Sequence, residues 1–300
     1  GDMNPQLGQM LDPAAARELL EGGGIPVADL TVLSANLRED WAIHYQARIL
    51  DSARLLTAQR FLNGALPKAV ARISQQLGKA VAKDPALPGL VREFPDRQCV
   101  VFPFPLDARI KYLPKTADPR RVRRRFHAER CEVEVLRYVP GRRCQFLYRF
   151  PSGEVLGKVF RDERGEAVFR LMQQVTARFR DCGDPLLTTP RALEYLPDWQ
   201  MLVQEKAPGR TLYEMIRDGD ARDRHIEAAA RSIAVLHGAS LDPGSFYALS
   251  DEVQLLDWSV RSLEALDICD PEFSRVLDRI RAFGQPIRAA APVLVHRDFY

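Results

Sequence analysis

The chain has 300 residues, of which 46% are hydrophobic and 28% are charged, and its formal net charge is +3. This length and composition indicate a water-soluble globular protein with one large domain or two ordinary ones. The small net charge argues neither for nor against a polyanionic partner.

No apolar stretch approaches the roughly 20 residues that a membrane helix needs. Residues 1–3 also lack the basic region and following apolar run that begin a signal peptide. The five cysteines are widely spaced and include no CxxC pair. Such spacing is typical of reduced thiols rather than of disulfides or a zinc site. We therefore predict a cytoplasmic protein.

The first third of the chain is predicted to be rich in helix, with one ambiguous stretch. Residues 14–21 favour a short helix that ends at three consecutive glycines. Residues 41–49 alternate between apolar and polar side chains, and this period of two is typical of a strand. The spacing of apolar residues over 65–82 then predicts an amphipathic helix.

Prolines and arginines dominate the next segment. Seven prolines between residues 83 and 119 predict an extended connector, because proline interrupts helices and central strands. Five of the six residues 120–125 are arginine. No aromatic residues are interleaved with them for base stacking, so we interpret the cluster as exposed surface rather than as a nucleic-acid site.

Residues 132–204 carry the most regular strand pattern. Turn dipeptides separate three runs of β-forming residues, which predicts an antiparallel meander followed by a helix and two further strands. The predicted strands are 132–139, 144–150, 155–160, 191–196 and 200–204, and the helix is 163–180. From residue 211 the pattern is helical until a short strand at 293–295. Strands first and helices afterwards predict an α+β protein in two lobes.

Residues 31–80 show the same order of predicted elements as residues 132–180, namely strand, turn, strand and helix. Gln59 in the first segment corresponds to Lys158 in the second. The first segment is therefore predicted to be a degenerate repeat of the second. Such a repeat would not bind phosphate, because Gln59 carries no charge.

Phosphoryl transfer requires a cation on the phosphates, a carboxylate beside the acceptor hydroxyl and ligands for magnesium. Lys158, in the middle of a predicted strand, is a candidate for the cation, although a lone lysine in a strand is more often an exposed edge charge. Asp298 lies in the tripeptide His296-Arg297-Asp298 after the apolar run 293–295. A strand would thus deliver its carboxylate into a loop that His296 packs and holds. A tripeptide of this kind needs context before it indicates chemistry.

Residues 201–212 lead from an apolar strand through a polar hinge into a Pro-Gly turn and a helix. Backbone groups at the end of such a strand can pair with the edge of an adenine base. Thr211 is predicted to cap the helix, with Glu214 completing a capping box. A purely structural crossover between domains would have the same pattern, so the hinge alone leaves both interpretations open.

Four segments, in this order and spacing, resemble the aminoglycoside phosphotransferase and choline kinase-like family. They are Gly157-Lys158-Val159-Phe160, Val203-Gln204-Glu205-Lys206-Ala207-Pro208-Gly209, Ile233-Ala234-Val235-Leu236-His237 and Leu294-Val295-His296-Arg297-Asp298-Phe299. The resemblance covers residues 130–300. It implies a bilobal protein-kinase-like fold, with an N-terminal antiparallel sheet lobe and a helical C-terminal lobe. It also implies ATP and Mg²⁺ as cofactors and phosphate transfer to a hydroxyl of a small molecule.

The resemblance assigns roles to individual residues. Lys158 would hold the α- and β-phosphates, and the backbone at Glu205 and Ala207 would hold the adenine. Asp298 would be the catalytic aspartate, in the loop that contains His296.

The chain departs from the family pattern near the phosphates. The turn at residues 140–143 is not a glycine-rich loop, which this family often lacks. Glu166 is the candidate partner of Lys158, whereas Gln173 and Gln174 lie closer to the usual separation.

The family places an Asn or similar ligand five residues after the catalytic aspartate, and a metal-binding Asp on a later strand. The printed sequence ends at Tyr300, before both positions, so no metal ligand is assigned. We expect it to be a portion of a longer chain; a complete chain would lack this magnesium site. The predicted segments are an N-terminal extension (1–125), a nucleotide-binding small lobe (126–206) and an acceptor and catalytic lobe, incomplete at its C-terminus (207–300).

Two alternatives remain beside a small-molecule phosphotransferase. One is an inactive binding or regulatory protein on a kinase scaffold, and the other is a protein kinase, which the missing glycine-rich loop disfavours. The acceptor could resemble an aminoglycoside, choline or a sugar. We expect no nucleic-acid or membrane partner, and the sequence leaves the oligomeric state open.

Overall fold

A computed structural model describes residues 5–37, 40–80, 84–181, 188–238, 249–264 and 271–284. These residues form two antiparallel sheets of five strands each, together with the surrounding helices. The predicted α+β class is therefore confirmed. None of the helices in these ranges is both long and apolar enough to cross a membrane.

The first sheet has the strand order β1-β2-β3-β5-β4. Its strands are β1 (Val27–Asn36), β2 (Ala42–Ile49), β3 (Ser52–Arg60), β4 (Arg92–Phe94) and β5 (Cys99–Pro103). The helices of this part of the chain are α1 (Pro5–Leu11), α2 (Pro13–Gly22), α3 (Leu66–Ala80) and α4 (Leu113–Thr116). Helix α3 connects β3 to the last two strands.

The second sheet has the order β6-β7-β8-β10-β9. Its strands are β6 (Glu132–Val139), β7 (Arg143–Phe150), β8 (Gly153–Phe160), β9 (Ala192–Leu196) and β10 (Met201–Glu205). The helices here and beyond are α5 (Pro119–Arg125), α6 (Arg164–Asp181), α7 (Leu212–Arg217), α8 (Asp223–His237), α9 (Leu249–Glu264) and α10 (Pro271–Gly284).

Local sequence accounts for several of these elements. The Asp12 side chain accepts hydrogen bonds from the first backbone N–H groups of α2, as an N-cap does. Helices α1 and α2 cover the first sheet, where the hydroxyl of the fully buried Tyr45 donates to the Met10 carbonyl at 2.7 Å. On α3, Ala69 and Ile73 lie on the apolar face and pack in a second core with β5 residues. The predicted helix at 65–82 is therefore confirmed.

The prediction of an extended connector over residues 83–119 is wrong. Two strands of the first sheet, β4 and β5, lie in this stretch. Its prolines occupy positions that strands tolerate: Pro95 begins a 3₁₀ turn between the two strands, and Pro103 ends β5. All five residues of β5 are buried. Because of the many prolines in this stretch, sequence reasoning missed a short interior strand.

By their internal contacts, the described residues divide into two compact units. The first contains described residues of 5–117, residues 139–143 and helices α9 and α10. The second contains residues 118–138 and the described residues of 144–238. The predicted boundaries at residues 125 and 206 stay predictions.

Candidate functional site

Lys158 lies in the middle of β8, directly opposite the fully buried Leu202 of β10. The residue is half-buried, and its Nζ lies 5.4 Å from the centroid of the Phe160 ring. A cation over an aromatic ring is attracted by the negative face of the ring. The ring and the strand thus place the ammonium group on one defined face of the second sheet.

Gly157 allows the strand that carries Lys158 to pack closely against its neighbours. A Cβ atom at this position would lie 2.3 Å from the Tyr148 ring and 2.9 Å from the sulfur of Met201. Tyr148 is fully buried, and its hydroxyl donates to that sulfur at 3.3 Å. Glycine is therefore required for close packing on the face opposite Lys158, since neighbouring residues of a strand point to opposite faces.

Helix α6 packs on the face of the sheet that bears Lys158. A Cβ atom at Gly165 would lie 2.7 Å from the Phe160 ring and 2.8 Å from the Tyr195 ring. Tyr195 pairs with Leu202, as Lys158 does, so both side chains share one face. The close approach at Gly165 thus determines how near the first turn of α6 comes to the lysine strand.

Glu166, the predicted partner of Lys158, lies in the first turn of α6 and is exposed. Its carboxylate accepts a hydrogen bond of 2.5 Å from Arg170, one turn further along the helix. Gln173 and Gln174 are also exposed. Pairing of Glu166 with Lys158 stays a prediction.

The predicted hinge begins where the pairing of β10 ends. Glu205 is the last residue of β10 paired with β8. Its carboxylate accepts hydrogen bonds from the Arg191 side chain and backbone, and these lower the pKa of Glu205. Ala207 lies in the loop between β10 and α7, outside both strand ladders. Adenine recognition by the backbone at Glu205 and Ala207 stays a prediction.

The loop after the hinge is closed by local interactions. Gly209 has a φ of +86°, a conformation that favours glycine. The predicted capping box at α7 is confirmed, because the Glu214 N–H donates to the Thr211 hydroxyl and the Thr211 N–H donates to the Glu214 carboxylate. The Arg210 guanidinium also donates to two aspartates after α7, Asp218 and Asp220.

A chain of exposed charges extends from the hinge to the strands beside it. Lys206 donates to Glu154 at 2.7 Å, and Arg149 donates to the same carboxylate at 2.9 Å. Arg149 also donates to Glu134 on β6 at 2.5 Å. Sequence reasoning missed Glu134, Arg149, Glu154 and Arg191, and it assigned no role to Lys206. The alternating signs of their charges were visible, but which pairs meet depends on strand register.

His296 and Asp298, the predicted catalytic residues, lie outside the described residues. The structure therefore neither brings them to Lys158 nor separates them from it. In the described ranges, no group of three or more His, Cys, Asp or Glu side chains could hold a metal ion. Binding of Mg²⁺ thus stays an implication of the family.

Comparison with known families identifies the class of protein. A family model described as "Phosphotransferase enzyme family" matches residues 145–300, which is more than half of the chain. The chain belongs to this family, the aminoglycoside phosphotransferase and choline kinase-like family that its four motifs indicated. The match begins within β7 and includes Lys158, the hinge and the His-Arg-Asp tripeptide. No curated protein and no solved structure matched the chain.

Proposed function

We propose that this protein transfers the γ-phosphate of ATP to a hydroxyl group of a small molecule. The observation that carries the proposal is the position of Lys158. It lies mid-strand on β8, inside the region that matches the phosphotransferase family, and it pairs with Leu202 of β10, three residues before the hinge at Glu205. A lysine on a strand beside a hinge is the arrangement with which kinases hold ATP phosphates.

The proposal includes a bilobal protein-kinase-like arrangement, with the second sheet in the nucleotide-binding lobe. The hinge backbone would hold the adenine, and Lys158 would hold the α- and β-phosphates. Asp298 would accept the proton of the acceptor hydroxyl, with His296 holding its loop. Mg²⁺ bound with the nucleotide would neutralise charge on the phosphates. We also propose a cytoplasmic location, which the buried free thiols of Cys99, Cys131 and Cys144 support.

A thermal-shift titration tests nucleotide binding. A ligand that binds only the native state raises the free energy of unfolding, by about 2.7 kcal/mol at a ligand concentration of 100 Kd. The unfolding midpoint rises with it. We expect MgATP to raise the midpoint of the wild-type protein and to have a much smaller effect on Lys158→Ala. Lys79→Ala, which removes an exposed lysine of α3, is the matched control. No shift in the wild-type protein would contradict the proposal.

A turnover assay distinguishes an enzyme from an inactive regulatory protein on a kinase scaffold. ADP release with a panel of amino-alcohol, sugar and aminoglycoside acceptors should be acceptor-dependent in the wild-type protein and abolished by Asp298→Asn. Nucleotide binding without turnover on any acceptor would favour a regulatory protein on the same fold. Labelling of protein substrates instead would favour a protein kinase.

A further inference from the structure

We propose that Arg191 is a positioning residue that holds the hinge for a purine base, with Lys206 and Glu154 as a second restraint on the opposite side. The inference rests on the proposed function, because it assigns the base to the hinge. Arg191 and Glu154 lie outside the four family motifs, and the resemblance assigns no role to Lys206.

A bulge in β9 places Arg191 at the hinge. Val203 pairs with Glu194, but the next residue, Gln204, pairs with Ala192, so one residue of β9 is passed over. Without this bulge, Glu205 would lie opposite Ala192. With it, Glu205 lies opposite Arg191, and its N–H donates to the Arg191 carbonyl at 3.0 Å. The irregular register is thus what creates the contact.

The contact between Arg191 and Glu205 uses both side chains and both backbones. The Arg191 Nε and Nη2 atoms lie 2.7 and 2.5 Å from Oε1 of Glu205, and the Arg191 backbone N–H donates to Oε2 at 3.1 Å. A guanidinium directs its donors in a fixed plane, so such a contact restricts orientation as well as distance. The last paired residue of β10 is therefore fixed on its β9 side.

The next residue of the hinge is held from the other side. Lys206 bonds Glu154 on β8, and Glu154 also bonds Arg149 on β7. These two hydrogen bonds lower the pKa of Glu154, that from Lys206 having the larger effect. Since β10 lies between β8 and β9, neighbouring residues of opposite charge anchor the hinge to both flanking strands.

These ion pairs are too exposed to contribute much to the global stability of the protein. Their side chains are 35–63% exposed, and exposed ion pairs add little to the free energy of unfolding. A local restraint has a different effect. Ordering the hinge before the ligand arrives lowers the entropic cost of binding a rigid, planar base. The interactions should therefore affect the affinity for the base more than they affect folding.

The test compares Arg191→Met with Arg125→Met. Arg125 forms an exposed pair with Glu194 on the same strand β9, at 3.1 Å, and is the matched control. We expect Arg191→Met to weaken binding of both ATP and adenosine about three- to tenfold and to leave tripolyphosphate binding unchanged. Its melting temperature should stay within about 2 °C of the wild-type value. Arg125→Met should change none of these quantities.

A charge exchange checks that the pair itself is responsible. Arg191→Glu combined with Glu205→Arg should restore most of the adenosine affinity that each change alone removes. Equal losses in Arg191→Met and Arg125→Met, or no loss in either, would overturn the inference while the proposed function stands. A wild-type protein that binds neither ATP nor adenosine would overturn both.

Discussion

Gln59 and Lys158 occupy equivalent positions in two sheets that have the same strand order. Gln59 lies on β3, the third strand of the first sheet, and pairs with Val100 on β5. Lys158 lies on β8, the third strand of the second sheet, and pairs with Leu202 on β10. Each therefore pairs with the second residue of its neighbouring strand, β5 or β10. In both sheets that strand follows the connecting helix and the edge strand in the chain.

The equivalence extends to the turns before those paired strands. Each turn is a short 3₁₀ segment that ends at a glutamine in the left-handed conformation, Gln98 in the first sheet and Gln200 in the second. The carbonyl of Gln98 accepts from the N–H of Phe61 at 2.8 Å, and that of Gln200 accepts from the N–H of Phe160 at 2.9 Å. An internal repeat would produce this correspondence.

The first sheet is predicted not to bind the nucleotide phosphates, because the residue at the lysine position is neutral and buried. Gln59 is only 2% exposed, and its Oε1 has no hydrogen-bond partner in the described part of the chain. We expect Gln59→Lys to destabilise the protein by on the order of 4 kcal/mol, since a buried lysine must be desolvated or lose its charge. Urea unfolding measures this change.

Gln59→Met is the control for that prediction. It keeps most of the side-chain volume and removes an oxygen that lacks a partner, so we expect a change within about 1 kcal/mol. A Gln59→Lys protein as stable as the wild type would show that this side of the first sheet accepts a cation.

The fold was predictable where the signal is local. Alternating side chains and turn dipeptides in residues 132–160 placed β6, β7 and β8 correctly, because each hairpin joins neighbours in sequence. The capping box at Thr211 involves residues three apart and was also predictable. Strand β5 was not predictable, because its five buried residues lie among prolines. Whether those prolines interrupt a strand depends on where the strand ends.

The site was predictable only in part, for the same reason. Lys158 and the hinge lie within short sequence motifs. The contact between Arg191 and Glu205 depends on a bulge in β9 that shifts the pairing by one residue. A shift of one residue changes which side chains meet, and no local pattern specifies it.

Gly157→Ala should destabilise the protein because the second sheet has no room for a methyl group at this position. The new Cβ would meet the ring of the buried Tyr148 at 2.3 Å, so the ring or the strand must move. Overpacking of this kind costs about 1–3 kcal/mol. Equilibrium unfolding in urea measures the loss.

Two further variants test the cause of that loss. Gly78→Ala on α3 adds a methyl group where no atom lies within 4 Å, and it should leave stability unchanged or raise it by up to about 1 kcal/mol. Combining Gly157→Ala with Tyr148→Leu should remove most of the Gly157 penalty, as a double-mutant cycle would show. A penalty that persists in the double mutant would contradict the steric explanation.

His44 should make the protein sensitive to acid. It is 5% exposed on β2, with Nδ1 3.2 Å from the Thr57 hydroxyl. Burial lowers the pKa of His44 from 6.5 to about 4, against a smaller opposing effect of a backbone hydrogen bond at Leu56. Between these values the unfolded chain binds more protons, so the free energy of unfolding falls as the pH falls. The loss is about 1.4 kcal/mol per pH unit and about 3 kcal/mol in total.

Urea unfolding at pH 7 and pH 4.5 measures this dependence. His44→Gln cannot take up the proton, so its stability should fall less than that of the wild type over this range. His127→Asn removes an exposed histidine and keeps a side chain suited to its left-handed backbone, and it should retain the wild-type slope. Parallel slopes for all three proteins would show that His44 is not responsible.

Thr211→Ala should loosen helix α7 directly after the hinge without unfolding the protein. The Thr211 hydroxyl accepts from the Glu214 N–H at 3.1 Å, and the Glu214 carboxylate accepts from the Thr211 N–H at 2.8 Å, which lowers the pKa of Glu214. Loss of a threonine N-cap favours opening of the first helical turn by about fivefold. Amide hydrogen exchange over residues 212–217 should therefore accelerate by about that factor while exchange in β10 stays unchanged. Thr211→Ser retains the acceptor oxygen and should exchange as the wild type does; equal acceleration in both variants would mean that the hydroxyl does not hold the helix.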